Sequence, residues 1–150
     1  MIDITETPFD HAEALAEFTR RVGGAGAVVS FTGLVRGEDG VVSTLHLQAY
    51  SPMTERGIEA AVKTAKARWP LIDAHVIHRI GDMAPGEPIV FVAIASAHRR
   101  AAFEAADYLM DYLKTDAVFW KKEVSSAGAA WIEPRAEDYQ DRARWDAQGG

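Results

Sequence analysis

The residues best suited to chemistry in this sequence are basic, and they stand at the ends of predicted helices and strands. They are Arg36, His98, Arg99, Arg100, Lys114, Lys121 and Lys122. If these side chains converge on one cleft, they form a site for an anion such as a phosphate monoester, because arginine binds phosphate in a bidentate way and lysine acts as a point charge. A lysine surrounded by other cations has its charged form disfavoured, which lowers its pKa towards that of a base or nucleophile.

Three of these residues also have a purely local explanation. Lys114 in the last turn of a helix opposes the helix macrodipole, which favours cations at that end. Arg36 lies in a charged loop, where a solvated side chain is common. His98 can cap the helix that follows it. A shared anion site and these local roles both stay open at this stage.

The other cations are more informative. Lys121 and Lys122 occupy adjacent strand positions and point to opposite faces, so at most one of them enters a given pocket, and the other is a solvated surface charge. Arg99 and Arg100 stand in the first turn of a helix, where the macrodipole favours acidic residues. Because departures from local preference tend to mark functional sites, this helix end is predicted to bind a ligand.

Composition excludes several classes of protein. The 150 residues carry a formal net charge of −6, contain no cysteine and are 48% hydrophobic. They fit one globular domain without disulfides or zinc–thiolate sites, and the acidic balance argues against bulk nucleic-acid binding. No apolar run reaches the length of a membrane span, and the acidic N-terminus does not resemble a secretory signal. We therefore expect a cytoplasmic protein that binds neither nucleic acid nor membrane.

Metal and nucleotide motifs are missing from the sequence. It contains no Walker loop, no Rossmann glycine fingerprint, and no His-x-x-x-His or Glu-x-x-His spacing. His75 and His78 lie three apart in a predicted strand, where they face opposite sides and cannot form a ligand pair. We therefore expect neither a metal site nor a cofactor.

Helices and strands that must position the cations alternate along the chain. Apolar spacing and stops such as Pro70 predict helices over 10–21, 54–69 and 99–114. Runs of β-branched and apolar residues predict strands over 1–5, 27–35, 42–50, 75–80, 88–95, 118–124 and 130–132. The segment 89–95 is apolar throughout, which is typical of a central, buried strand.

Three connections complete the predicted architecture. Strands 27–35 and 42–50 are predicted to pair as a hairpin, 81–86 is predicted to be a turn, and the polar stretch 134–150 is predicted to be a tail that wraps a surface or a partner. Helices interleaved with hairpins indicate an α+β sandwich with about three helices and a mixed, largely antiparallel sheet. Residues 1–150 are predicted to form a single domain.

Several segments, in family order between residues 26 and 135, resemble the large, catalytic subunit of molybdopterin synthase. They are Gly26–Arg36, Ala49–Met53, Ile77-His78-Arg79-Ile80-Gly81, Ser96-Ala97-His98-Arg99, Met110-Asp111-Tyr112-Leu113-Lys114-Thr115, Phe119-Trp120-Lys121-Lys122-Glu123 and Trp131-Ile132-Glu133. The resemblance implies an α/β hammerhead-type fold. It also implies a sulfurtransferase that converts cyclic pyranopterin monophosphate to molybdopterin by installing two sulfurs as a dithiolene.

This resemblance implies partners as well. The sulfur arrives as a thiocarboxylate on the C-terminal Gly-Gly of a small ubiquitin-like subunit, whose tail enters a pocket of the large subunit. Two large subunits form the central dimer of a heterotetramer. A phosphorylated substrate agrees with the cationic set, and sulfur delivered by another protein makes a cysteine-free catalyst chemically sufficient.

Site residues are implied by matching the family's motifs to this sequence. Lys121 is implied as the attacking or proton-transferring amine, and Lys114 as its assistant. Residues implied to bind or surround the substrate are Phe31, Leu34, Val35, Arg36, His98, Arg99, Lys122, Glu123 and Arg135. Among them, Arg135 matches a position that reaches into the neighbouring subunit's pocket.

Two other functions are consistent with the same cations. A noncatalytic scaffold would accept a ubiquitin-like tail without forming a product. A phosphatase-like hydrolase would use the anion pocket but needs a carboxylate or metal beside the phosphate, and no Asp/Glu cluster accompanies the cations. The terminal Gly149-Gly150 is the signature of the small sulfur carrier, but no ubiquitin-like apolar pattern precedes it, so we interpret it as an ordinary tail.

Overall fold

A computed structural model describes residues 1–37, 42–115, 119–125, 128–132 and 136–148. Its helices are α1 (His11–Arg21), α2 (Met53–Arg68), α3 (Arg99–Thr115) and α4 (Ala136–Gln148). Its strands are β1 (Ile2–Thr5), β2 (Ala27–Leu34), β3 (Val42–Ala49), β4 (Leu71–Arg79), β5 (Gly81–Met83), β6 (Pro88–Ser96), β7 (Phe119–Ser125) and β8 (Gly128–Ile132). The predicted α+β class is confirmed.

The first sheet has the strand order β1-β4-β6-β2, with β1 parallel to β4 and the other neighbours antiparallel. Alternate residues of β6 face opposite sides: Phe91 and Ala93 pack with Phe18 of α1, whereas Val92 and Ile94 join the cluster that includes α2 and α3. Helices therefore cover both faces of β6, which explains its continuous apolar sequence. The prediction that this strand is central and buried is confirmed.

The second sheet has the order β5-β3-β7-β8 and is antiparallel throughout. Its own buried cluster consists of Val35, Leu45, Leu47 and Met83. Ile89 of β6 and Phe119 of β7 pack against both this cluster and the larger core below α2 and α3. These two side chains join the sheets. Their shared packing supports a single domain over residues 1–150, which stays a prediction.

Two predicted connections are wrong. The expected hairpin partners β2 and β3 belong to different sheets, since β2 pairs with β6 while β3 pairs with β5 and β7. The physical reason is burial: β6 needs a partner on each edge, and Leu45 and Leu47 of β3 are buried in a separate cluster. The expected turn 81–86 contains β5, because Met83 is only 1% exposed and its strand pairs with β3.

The polar C-terminal stretch forms a helix, α4, that the sequence did not predict. Trp145 is its only buried side chain among those described, so α4 lacks the apolar stripe by which helices are recognised. Trp145 Nε1 donates to Asp111 Oδ2 at 2.6 Å, and Arg144 pairs with Asp107 and Asp111 at 2.6 and 3.0 Å. The surface that this stretch covers is thus α3. None of the described helices is long and apolar enough to cross a membrane.

Candidate active site

The C-terminal end of α3 meets the start of β7 at a pair of stacked rings. The ring of Phe119 lies on that of His78 in β4, with centroids 4.0 Å apart. Lys114, exposed in the last turn of α3, is close enough for its charge to act on His78. Lys121 stands two positions beyond Phe119 in β7 and shares its face of the strand. The fold thereby brings the charge of Lys114 within reach of His78 and puts Lys121 on the face of β7 that carries Phe119.

His78 is a buried and uncharged member of this neighbourhood. Its Nδ1 lies 3.0 Å from the carbonyl oxygen of Arg79, and because a carbonyl can only accept, Nδ1 carries the proton. Burial, opposed by this hydrogen bond and assisted by the charge of Lys114, lowers the pKa of His78 to about 4. The ring beside the lysines is therefore neutral at physiological pH, and its Nε2 is an acceptor.

The pairing of β7 with β3 shows which lysine faces the ring pair. Lys121 lies opposite Leu47, which is buried in the core of the second sheet. Lys122 lies opposite His46, whose side chain is 34% exposed. Directly opposed residues share a face, so Lys121 is on the side of Phe119 and Lys122 is on the other. The structure therefore favours Lys121 over Lys122 for a site at the rings.

Arg36 follows β2 at the end of the first sheet where His78 also lies, measured along the strands. Gly33 of β2, Val90 of β6 and His78 of β4 lie in one row across the sheet. The end of β2 therefore lies on the side where β4 meets Phe119. Arg36 is exposed there, three residues beyond Gly33.

The apolar residues predicted around the substrate differ in accessibility. Phe31 is 42% exposed and Leu34 is 55% exposed, so both can form the wall of a site. Val35 is 5% exposed and belongs to the buried cluster of the second sheet. Any influence of Val35 on a substrate must therefore act through packing rather than contact.

His98, Arg99 and Arg100 lie at the opposite end of α3 from Lys114. All three are exposed, and the first turn of α3 contains no acidic residue. A rise of 1.5 Å per residue places Arg99 roughly 22 Å from Lys114 along the helix axis. Within one chain the predicted cations therefore form two groups. We call Arg36, Lys114 and Lys121 the lysine group, and His98, Arg99 and Arg100 the arginine group.

Comparison with known proteins identifies the family. A family model described as MoaE protein matches residues 4–116. The molybdopterin synthase catalytic subunit of Caulobacter vibrioides is 47% identical over 148 residues, which is 99% of both chains.

The chain belongs to the MoaE family. This membership confirms the resemblance and, with it, the expectation of an enzyme of molybdopterin synthesis, so the noncatalytic scaffold is excluded. Solved structures agree: the molybdopterin biosynthesis MoaE protein from Burkholderia ambifaria has a TM-score of 0.83 at 37% identity, covering 97% of both chains. A protein–protein complex of subunits 1 and 2 of molybdopterin-converting factor from Helicobacter pylori shares the fold, with a TM-score of 0.77 at 21% identity.

Some expected MoaE site residues lie outside the part of the chain that is described. Arg135 and the terminal Gly149-Gly150 fall in undescribed segments. The backbone of Glu123 pairs with Leu45 and Ala130 in the second sheet. The roles of all three stay predictions.

His78 and Phe119, the two rings beside the lysine group, were not among the site residues predicted from the sequence. His78 and Phe119 lie in segments that carry the MoaE resemblance, but no chemical role followed from their spacing. The pair His78-Arg79 did carry a signal, because these two polar residues stand between apolar residues at the end of a predicted strand. Among the described side chains, no group of three or more His, Asp or Glu residues could hold a metal ion.

A groove of about 440 Å³ lies elsewhere on this MoaE-family chain, between α2, α3 and α4. It is lined by Ala60, Ala61, Thr64, Arg68, Tyr108, Tyr112, Arg142, Trp145 and Asp146. None of the predicted site residues lines it. Its basic side chains are engaged within the protein, because Arg68 donates to the Trp145 carbonyl and Arg142 pairs with Asp146.

Proposed function

We propose that this chain binds the phosphate of a cyclic pyranopterin monophosphate with its exposed cations and directs sulfur transfer to the pterin beside Lys114 and Lys121. The observation that carries the proposal is the stack of Phe119 on His78, because the charge of Lys114 acts on His78 and Lys121 shares the face of β7 with Phe119. Two amines near the buried, neutral ring of His78 and the half-buried ring of Phe119 provide a place where charge can develop next to partly dehydrated surface. Such a setting strengthens electrostatic stabilisation of a transition state.

Lys121 and Lys114 take different parts in this proposal. Lys121 is half-buried on the face of Phe119, so it is suited to act as the attacking or proton-transferring amine. Lys114 is exposed at the end of α3 and acts as a fixed positive charge that stabilises negative charge developing on the reacting carbonyl or sulfur. Because His78 is uncharged at neutral pH, it does not add a third positive charge beside the two amines.

The arginine group completes the site from a second copy of the chain. Arg99 is too far from Lys114 for both to hold one phosphate in the same chain, because roughly 22 Å of helix separates them. In a symmetric dimer each copy can present its arginine group to the lysine group of the other, so that two equivalent sites form. The prediction that Arg135 reaches into the neighbouring subunit's pocket agrees with a site shared between two copies. We therefore place the substrate between two copies.

Sulfur reaches this site on a small partner subunit. The complex of subunits 1 and 2 from Helicobacter pylori supports a two-subunit enzyme. The partner is a ubiquitin-like protein with a C-terminal Gly-Gly thiocarboxylate, and two partners on a central dimer form a heterotetramer. Each thiocarboxylate carries one sulfur and returns as a carboxylate, so two are consumed per dithiolene. We place the enzyme in the cytoplasm, where a cysteine-free chain needs no oxidising environment.

Mass spectrometry of the pterin products tests this function. The chain is mixed with a thiocarboxylated small subunit and cyclic pyranopterin monophosphate. We expect a product that contains two sulfurs and keeps its phosphate, and we expect the double variant Lys114→Ala/Lys121→Ala to form none. Lys63→Ala, which removes an exposed lysine of α2, is the matched control and should form product normally. Release of inorganic phosphate without sulfur incorporation would instead support the hydrolase, and full turnover by the double variant would contradict the lysine assignment.

A further inference from the structure

Arg79 and Glu87 form an ion pair that the proposed reaction does not use. Arg79 is 5% exposed, and its Nη1 donates to Glu87 Oε1 at 3.0 Å. Its Nε donates to the carbonyl of Glu6 at 3.3 Å, and its Nη2 donates to the carbonyl of Asp82 at 3.2 Å. One buried guanidinium thus ties the chain after β1, the strand β5 and the segment before β6 to the end of β4.

Glu87 closes the turn 84–87 with its other polar groups. Its Oε2 accepts from the backbone N–H of Ala84 at 2.5 Å, and its own N–H donates to the Ala84 carbonyl at 3.2 Å. The hydrogen bond from Ala84, followed by that from Arg79, lowers the pKa of Glu87. The carboxylate is therefore ionised at neutral pH and bridges the turn to the buried guanidinium.

This turn contacts the residues on both sides of Arg36. Val35 exchanges two backbone hydrogen bonds with it, of 2.8 and 2.7 Å. On the other side, Gly37 lies so close to Pro85 that a Cβ added to Gly37 would be 2.8 Å from the Pro85 Cβ. Arg36 is consequently carried by a short segment that is held before and after it by one turn.

We propose that Glu87, held in place by Arg79, is a positioning residue that sets the Arg36 guanidinium for the phosphate of the substrate. The inference rests on the proposed function, in which Arg36 is one of the exposed cations that bind the phosphate. A guanidinium on a pre-ordered backbone binds an anion with a smaller loss of conformational entropy than one on a loose loop. Removing the Glu87 carboxylate frees the turn, so substrate binding should weaken while the chemistry at the lysines continues.

A double-mutant cycle of Glu87→Gln and Arg36→Ala tests this inference. The readouts are the Kd of cyclic pyranopterin monophosphate by calorimetry, and KM and kcat of the complete reaction. We expect Glu87→Gln to raise Kd and KM about tenfold with kcat changed less than about twofold. Arg36→Ala should raise them at least as much, and adding Glu87→Gln to Arg36→Ala should have no further effect, because a residue that acts through another is not additive with it.

A second variant keeps the inference testable if Glu87→Gln fails to fold. Gly37→Ala pushes the Arg36 segment away from Pro85 while leaving Arg79 and Glu87 intact, so it should raise Kd to a similar extent. Gly23→Ala is its matched control, because an added Cβ at Gly23 meets no atom within 4 Å.

The control for the lost carboxylate is Glu13→Gln, which breaks an exposed pair with Arg20 at 3.6 Å. Both control variants should bind normally. Additive effects of Glu87→Gln and Arg36→Ala would overturn the positioning role and leave the proposed function intact. Normal binding by Arg36→Ala would overturn the role of Arg36 in the proposed function and the positioning role with it. Loss of kcat at unchanged KM in Glu87→Gln would also overturn the inference.

Discussion

The two ends of α3 carry positive charge in opposite local settings. Lys114 lies in the last turn, where the macrodipole stabilises a cation by about 0.3–1 kcal/mol, whereas Arg99 and Arg100 lie in the first turn, where it opposes them. Lys114 adjoins the buried ring of His78, while the arginines are exposed. Helix stability therefore explains the position of Lys114 but not that of the arginines. The proposed function accounts for them by a phosphate bound between two copies of the chain.

The largest expected effect is at the lysine end. Lys121→Ala should lower the single-turnover rate of dithiolene formation by about 10²–10⁴-fold, the usual contribution of a general acid or base. Lys122→Ala changes a lysine on the opposite face of β7, so its loss should stay below about tenfold. Equal losses in the two variants would contradict the assignment of faces from the strand register.

The free energy of unfolding should depend on pH through His78, which lies near Lys114 at the same end of α3. The pKa of His78 falls from 6.5 to about 4 in the folded protein, mainly because of burial. Between these values the unfolded chain binds a proton that the folded chain does not, so stability decreases as pH falls, by up to about 3 kcal/mol. Asp73 and Glu87, whose pKa values are lowered from 3.8 and 4.5, lose their contributions as pH falls below these values, which lie beneath the range from pH 7 to 5 used to test His78.

Urea unfolding at several pH values between about 7 and 5 measures this dependence on pH. His78→Phe keeps a ring against Phe119 but cannot titrate, so its stability should change less with pH in this range. His11→Gln removes an exposed histidine and serves as the control. An unchanged slope in His78→Phe would show that His78 is not the group responsible.

A smaller effect is expected at the arginine end. Arg99→Ala should weaken binding of the pterin monophosphate about tenfold, because charge-assisted hydrogen bonds to phosphate are lost. The affinity of the unaltered protein should fall with added salt, and that of Arg99→Ala should fall less steeply. Calorimetric titrations at low and high salt check both, with Arg20→Ala as an exposed control from α1. Affinity that does not change with salt would contradict a phosphate site.

The smallest effects are expected on helix stability and should differ in sign between the two ends. Arg100→Gln removes a cation from the first turn and should stabilise the protein by about 0.5 kcal/mol, whereas Lys114→Gln should destabilise it by a similar amount. Denaturant unfolding of the two variants under one set of conditions measures both. Changes of the same sign would mean that the macrodipole does not distinguish the ends of α3.

Much of the local structure could be predicted from the sequence, because it depends on short-range patterns. The apolar run of β6 and the spacing in α1, α2 and α3 predict those elements closely. The pairing of β2 with β6 and of β5 with β3 depends on contacts between distant segments, which no local pattern contains. The sequence did not predict α4, because this helix is held by contacts of Arg144 and Trp145 with α3 rather than by an apolar stripe.

Individual candidate residues could be named from the sequence, but how they are arranged in space could not. Element ends do carry the cations, and Lys121 and Lys122 do face opposite sides of β7. A single cationic cavity within one chain, in contrast, is not what the fold provides, since α3 separates Arg99 from Lys114. His78 could not be selected from the sequence either, because its role depends on stacking with Phe119 across two sheets.

The central claim is that one site takes the lysine group from one copy of the chain and the arginine group from the other. Mixing the chain Lys114→Ala/Lys121→Ala with the chain His98→Ala/Arg99→Ala/Arg100→Ala, which lacks the whole arginine group, tests it directly at a substrate concentration at which neither chain forms product alone. After exchange of subunits, half of the dimers are mixed and each has one intact site, so activity should recover to about one quarter of the unaltered rate. If both groups of cations served a site within the same chain, no mixed dimer would have an intact site. Absence of any recovery in a sample shown to contain mixed dimers would therefore contradict the account.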